Sequence, residues 1–411
     1  MPELSRLVGA WFPAGMSSTP RQRVVLHVGT PKSGTSYLQD VMYYQRAALL
    51  EGGALYPGDE AEDHFRAAVD LKNDGYLDRN DPAVPGAWSR LVEAARSHVG
   101  TTVISQELLA DRSTEDVARV MADLVFAEVH VVVTARDLGR QLPAAWQEDL
   151  KNRHFPTFPE WLQSIRSASD RDNGWAETFW RRQDLSGLLR RWRADLPPER
   201  VHVVTVPRPG APPAELWRRF ASVLGVTPGA VVLPERPHNK SLGWLEAEFI
   251  RRLNERAGYS IEWPVYASRI TGYLAKDVLP YRPGAVPLSL PAADREWVSA
   301  RVGVMLDDIT GAGYDVVGDL QDLRVDNTGG PAEVPAFTDG ELLDAALDAM
   351  VAILRSDATV GPAPGIIAAP ASPPCVDQAN RSRWRRVVDA MRVASVTDTR
   401  GGGQTRGRTG R

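Results

Sequence analysis

The sequence predicts an α/β protein, a three-layer α/β/α arrangement around a mainly parallel central sheet. Three observations carry this reading. Short apolar runs such as Val24–Val28 and Val129–Ala135 are continuous rather than alternating, the pattern of strands buried on both faces. Segments of helical spacing separate these runs, so strand and helix alternate along the chain. The composition, 43% hydrophobic and 24% charged over 411 residues, is that of a globular chain able to bury a full core.

The elements follow in order. Val24–Val28 is a strand that stops at Gly29, and Ser36–Leu50 is the helix after it. Thr101–Ser105 is a short strand. Ser113–Phe126 is an amphipathic helix with Ser113 at its N-cap and Asp116 at N3. Val129–Ala135 is the next buried strand, followed by a helix over Leu138–Asn152. Phe158–Ile165 and Glu177–Asp195 read as helices, Val201–Val206 as a strand and Pro213–Leu224 as a helix. Leu242–Asn254 and Ala292–Ile309 are later helices. Phe337–Leu354 is apolar at helical spacing and is expected to dock back as an accessory helix.

The expected organisation is an N-terminal extension (1–20), one catalytic domain (21–330), the accessory helix (331–355), then a Pro/Ala-rich linker and a basic disordered tail (356–411). Ser356–Val376 holds five prolines among small residues. From Arg381 to Arg411 there are nine Arg against Asp389 and Asp398, a net of +7, so the rest of the chain carries −11 of the total −4. Arg381–Val393 is compatible with a short helix, and the tail suits weak attraction to an anionic partner. No run of about 20 apolar residues suggests a membrane span. The patch Leu7–Phe12 is too short for a secretory signal, so a cytoplasmic location is expected. The single Cys375 excludes an internal disulfide and multi-cysteine metal sites. Only five of the 48 basic residues are lysines: Lys32, Lys72, Lys151, Lys240 and Lys276.

The chemistry centres on the segment after the first strand, Gly29-Thr30-Pro31-Lys32-Ser33-Gly34-Thr35-Ser36. Its glycines permit a tight turn, and the new helix offers free N–H groups and a positive dipole end, a cradle for phosphate. Gly29 and Gly34 have the spacing of the nucleotide triphosphate loop. The lysine that should follow Gly34 is replaced by Thr35, and Lys32 sits instead at the crown. Such a P-loop-like nucleotide-binding turn suits a terminal group less charged than a phosphoryl and needing no metal.

Pro31-Lys32-Ser33-Gly34-Thr35-Ser36 resembles the 5′-phosphosulfate loop of sulfotransferases that use 3′-phosphoadenylyl sulfate. The resemblance implies that these six residues hold the donor and that Lys32 stabilises charge on the leaving oxygen. The family's second signature, a strand-end Arg followed by a Ser about eight residues on, is half present. Arg136 follows Val131–Ala135, but Ala144 stands where the Ser is expected. The resemblance makes Arg136 a ligand of the donor's 3′-phosphate, with Arg140 one turn on as compensation. Arg236–Ser241 lies where relatives place a loop closing over the donor.

A hydroxyl acceptor must lose a proton. Glu107, after the second strand-like run, Thr101–Ser105, is the first candidate base, and His64 is the rival. His154 is a candidate for the acceptor pocket, whereas His27, His130 and His202 lie in strands and read as structural. Tyr37, Tyr43, Tyr44, Trp88, Trp146, Gln147 and Phe155 are candidate acceptor contacts or core residues. No His pair has metal-ligand spacing, so no metal is expected. The expectation is a sulfotransferase acting on a small-molecule or carbohydrate acceptor. The alternatives are a P-loop kinase or nucleotide hydrolase, and a non-catalytic nucleotide- or sugar-binding descendant.

Overall fold

The computed structural model describes residues 22–72, 81–166, 174–230, 240–326 and 333–355. A six-stranded sheet runs through it: β1 (Arg23–His27), β2 (Ala54–Leu55), β3 (Thr101–Ser105), β4 (Glu128–Ala135), β5 (Val201–Thr205) and β6 (Asp315–Val317). The spatial order is β2-β3-β1-β4-β5-β6, and all five pairings are parallel. β1 lies between β3 and β4, with Leu26 level with Ile104 on one side and Val131 on the other.

Side chains alternate between two apolar layers, which is why the strands read as continuous runs. Val25, Val103, Val132 and Val204 point to one face. They meet α1 (Thr35–Tyr44), α2 (Arg46–Glu51) and a later helix, Glu215–Leu224. Val24, Leu26, Ile104, Val131 and Val203 point to the other. That face is covered by α3 (Asp63–Lys72), α4 (Ala87–Ser97), α5 (Thr114–Asp123), α6 (Leu138–Lys151), α7 (Phe158–Arg166), α8 (Gly174–Gln183) and α9 (Leu185–Arg193). The helix Glu215–Leu224 is α10. Then come α11 (Trp244–Ala257) and α12 (Trp263–Tyr266), which runs into a π-helical segment, Ala267–Val278. α13 (Arg295–Ala312) packs on the larger layer, and α14 (Asp339–Arg355) lies outside it against α11 and the π-helical segment.

Local signals explain most boundaries. Ser113 and Asp116 form the expected capping box of α5, each side chain accepting from the other's backbone N–H. The helix expected over Ser36–Leu50 is two helices, because Gln45 leaves helical dihedrals. That expected over Glu177–Asp195 breaks at Asp184, which takes the N-cap position of α9. β2 and β6 have two and three residues at the sheet edges, too short for periodicity to register. The N-terminal extension, Arg236–His238 and Asn239 of the donor-closing stretch, and the linker and tail lie outside the described residues.

Candidate functional site

The loop from Gly29 to Ser36 sits at the carboxyl edge of the sheet, between the two strands that flank β1. In open α/β sheets this crevice is where ligands bind. Its floor is a buried polar network. The His27 ring bridges Ser105 Oγ at 2.8 Å and Thr134 Oγ1 at 3.1 Å, one neighbour on each adjoining strand. Ser33 Oγ is 2.6 Å from Thr134 Oγ1, and the Thr30 N–H donates to the Thr134 carbonyl at 2.8 Å. Burial pushes the His27 pKa down to about 3, so the ring is a neutral strut.

The loop's backbone is specialised. Gly34 has φ 84°, a left-handed conformation natural only to glycine, and a Cβ there would stand 2.5 Å from Leu216 Cδ2 of α10. Lys32 also has positive φ, 67°, a conformation uncommon for any residue with a side chain. Thr35 and Ser36 open α1, whose first N–H groups have no intrahelical acceptor.

The second signature meets the first. Arg136 Nη1 donates to the Lys32 carbonyl at 3.3 Å, fixing the guanidinium beside the loop. Its Nε is buried with no hydrogen-bond partner. Burial, and then the neighbouring Arg140, push its pKa down to about 10. A half-satisfied, desolvated guanidinium is suited to receive an anion. Arg140 is committed elsewhere. It pairs with Asp137, the N-cap of α6, and donates to the Pro207 carbonyl at 3.4 Å. It therefore does not extend freely toward the site as expected. Ala144 lies on α6, half-buried, and supplies no hydroxyl.

Glu107 follows β3 and stands against the loop. Its Cβ is 3.3 Å from the Cβ that a side chain at Gly29 would carry. Gln39 Nε2 donates to Glu107 Oε2 at 3.0 Å and so orients the carboxylate. His64 differs from expectation. It is 2% exposed and stacked on Tyr56 at 4.1 Å. The Ser105 N–H donates to its Nδ1 at 3.2 Å, and its Nε2 faces the Pro57 carbonyl at 2.8 Å. With Nδ1 accepting and Nε2–H donating, neither nitrogen is left to take a substrate proton. His64 ties α3 to the sheet.

Of the other expected acceptor contacts, Trp146, Trp88 and Gln147 are core residues. Trp146 packs with Phe158 and Trp244, and Trp88 donates to Asp123 at 2.8 Å. Gln147 is buried on α6, whereas Tyr44 and Phe155 are exposed. His154 is neutral, its pKa pushed down to about 4 by burial.

Several residues escaped sequence reasoning. Lys32 Nζ pairs with Glu148 Oε2 at 2.7 Å, and Lys151 Nζ reaches the same oxygen at 3.5 Å. Against the opposing effect of burial, the two ammoniums hold the Glu148 carboxyl at about 2. Burial lowers the Lys151 pKa against the pull of Glu148, and the like charges of Lys32 and Lys276 lower it further. Gln183 Nε2 donates to the Pro31 carbonyl at 3.1 Å, and Gln141 donates to it as well. Gln141, Glu148 and Lys151 occupy one face of α6, at i, i+7 and i+10. That polar stripe and the scarcity of lysine were the available signals.

No family model, curated protein or solved structure matches the chain.

Proposed function

We propose that the chain is a sulfotransferase with a P-loop-like nucleotide-binding site, moving a sulfuryl group from 3′-phosphoadenylyl sulfate to an acceptor hydroxyl. The observation that carries the reading is the meeting of two separate sequence signatures at one sheet edge. The loop Pro31–Ser36 and the half-satisfied Arg136 touch through the Lys32 carbonyl. A small-molecule or carbohydrate acceptor fits the reading, and an amine acceptor is the less favoured variant.

The donor's 5′-phosphate would rest on the N–H groups at the start of α1 and on the hydroxyls of Thr35 and Ser36. The 3′-phosphate would pair with Arg136. The acceptor oxygen forms a bond to sulfur as the bridging S–O bond breaks, and the acceptor proton passes to a carboxylate. Charge grows on the leaving phosphate oxygen, and the Lys32 ammonium stabilises it. Glu107 is assigned the proton. Glu148, held at about 2 by two lysines, is too weak a base near neutral pH. Glu148 instead holds Lys32 until the donor arrives.

Isothermal calorimetry with 3′-phosphoadenosine 5′-phosphate tests the proposal. Binding without magnesium is expected, followed by labelled-sulfate transfer to an acceptor library. Absence of binding by the wild-type chain sinks it. Magnesium-dependent ATP binding would move the chain to the kinase class, and donor binding with no transfer to the non-catalytic one.

A further inference from the structure

α6 is a ruler laid along the crevice. Arg136 stands just before its first turn, and Lys151 is its last residue, about 20 Å further on. Between them Gln141 donates to the Pro31 carbonyl of the loop, and Glu148 meets the Lys32 ammonium at 2.7 Å. A donor lying from Arg136 to Lys32 has its reacting end at Glu148. Lys151 lies one turn beyond that end, away from the donor, where an acceptor approaches.

Lys151 is drawn inward yet poorly satisfied. Its side chain is 14% exposed. An ammonium carries three donors. Among the described residues the side-chain nitrogen reaches one oxygen, Glu148 Oε2 at 3.5 Å, which already holds Lys32. Burial lowers the Lys151 pKa, and the nearby Lys32 and Lys276 ammoniums lower it further. Asp149 does not offset this surplus. Burial pushes its carboxyl up to about 7, and it accepts from Trp161 Nε1 at 2.7 Å. The backbone beneath is pinned from outside. Asn254 of α11 and Tyr266 of α12 donate to the Leu150 carbonyl at 2.7 and 3.3 Å, and Thr271 donates to the Lys151 carbonyl at 2.8 Å. The dipole of α6 does not require this arrangement, because a solvated lysine in the last turn would serve it as well.

We propose that the acceptor carries an oxyanion beside its reactive hydroxyl, and that Lys151, with Lys276, receives it. This rests on the sulfotransferase reading and narrows its substrate class. Once Lys32 turns to the donor, a single carboxylate, Glu148, is left beside the two remaining ammoniums. An anionic group on the acceptor balances them. Lysine is a compact charge without a planar fork, so a carboxylate and a phosphate ester are equally suited.

Saturation-transfer NMR on the full chain tests it with two matched pairs of probes at constant ionic strength. The pairs are D-gluconate against D-glucitol, and glycerol 3-phosphate against glycerol. Each anion should bind and its neutral partner should not, with and without 3′-phosphoadenosine 5′-phosphate. Lys151→Met should weaken the anions by about 10–100-fold, the loss of a charged hydrogen bond, and Lys151→Arg should restore most of it. Calorimetry with the donor product should be unchanged in both variants. If Lys151→Met lowers the melting temperature, Lys276→Met at an exposed position should show the same loss in smaller measure. In labelled-sulfate transfer, anionic acceptors should exceed neutral ones in kcat/KM, and Lys151→Met should erase the difference through KM. Equal binding of anionic and neutral probes overturns the proposal. So does displacement of the anions by the donor product together with weaker donor-product binding to Lys151→Met, because Lys151 would then be a donor ligand. Absence of donor-product binding sinks the sulfotransferase reading instead, and the probes, which need no donor, still decide whether Lys151 receives an oxyanion.

Discussion

Both edges of the central sheet carry polar groups, yet they end differently. At the amino edge, Glu128, His130, His202 and Asp315 join in one chain. His130 Nε2 is 3.1 Å from Glu128 Oε1, the two imidazoles approach at 2.8 Å, and His202 Nδ1 is 2.6 Å from Asp315. Arg23 and Arg200 close it from outside, at His130 and Glu128. At the carboxyl edge the groups are matched only provisionally. Arg136 keeps a buried Nε without a partner, and Lys32 is held by a carboxylate 116 residues away on a different element. Polar density alone does not mark a site. Groups whose present partners a ligand can replace do.

The largest expected effect breaks the carboxyl edge. Lys32→Ala should slow transfer by about 10²–10³-fold, the usual loss when one charge stabiliser is removed, with thermal stability unchanged. Steady-state kinetics and a melting curve check this, and a fall in both would mean Lys32 is structural. Arg136→Ala should weaken 3′-phosphoadenosine 5′-phosphate by about 10–100-fold, the cost of about 1.5–3 kcal/mol for a charged hydrogen bond. Calorimetry reads it directly.

The amino edge should respond the other way. His130→Ala should cost about 1–3 kcal/mol of stability by leaving buried partners unmatched, and should leave donor affinity as it was. A pH series sharpens the contrast. Burial lowers the pKa of His27 to about 3 and that of His64 to about 4. The unfolded chain therefore takes up protons first as the pH falls. This contribution is full above about 6.5, the ordinary histidine value, and is lost progressively down to about 3, the lowest of the folded values. Melting temperatures should drop across that window, and a flat profile would contradict the buried neutral rings. The smallest effect is at Glu148. Glu148→Gln frees Lys32 from a half-buried pair at the crevice and should tighten the donor product by only a few-fold. Weaker binding would show that Glu148 positions Lys32 rather than competing for it.

Much of this was legible. The four longer strands, the capping box at Ser113 and the loop between β1 and α1 are each encoded within a few residues, so local pattern reveals them. Helix breaks at Gln45 and Asp184 were not, because both lie inside continuous apolar periodicity. His64 misled because its sequence neighbourhood shows nothing of Pro57 and Ser105, which use both ring nitrogens. Trp146 misled because an aromatic residue reads the same in a core and in a pocket. Glu148 and Lys151 were visible only as a polar stripe on α6, and what that stripe faces is set by the packing of α6 on the loop.

The lysine cluster has a practical side. Lys32 and Lys151 share one carboxylate, and Lys276 lies near enough to shift Lys151. Three of the chain's five primary side-chain amines therefore report on a single place. An amine-directed acylating reagent would read the state of that place against only Lys72 and Lys240 as side-chain background. Occupancy becomes a labelling rate at Lys32, measurable by mass spectrometry in a crude mixture, before any acceptor is known.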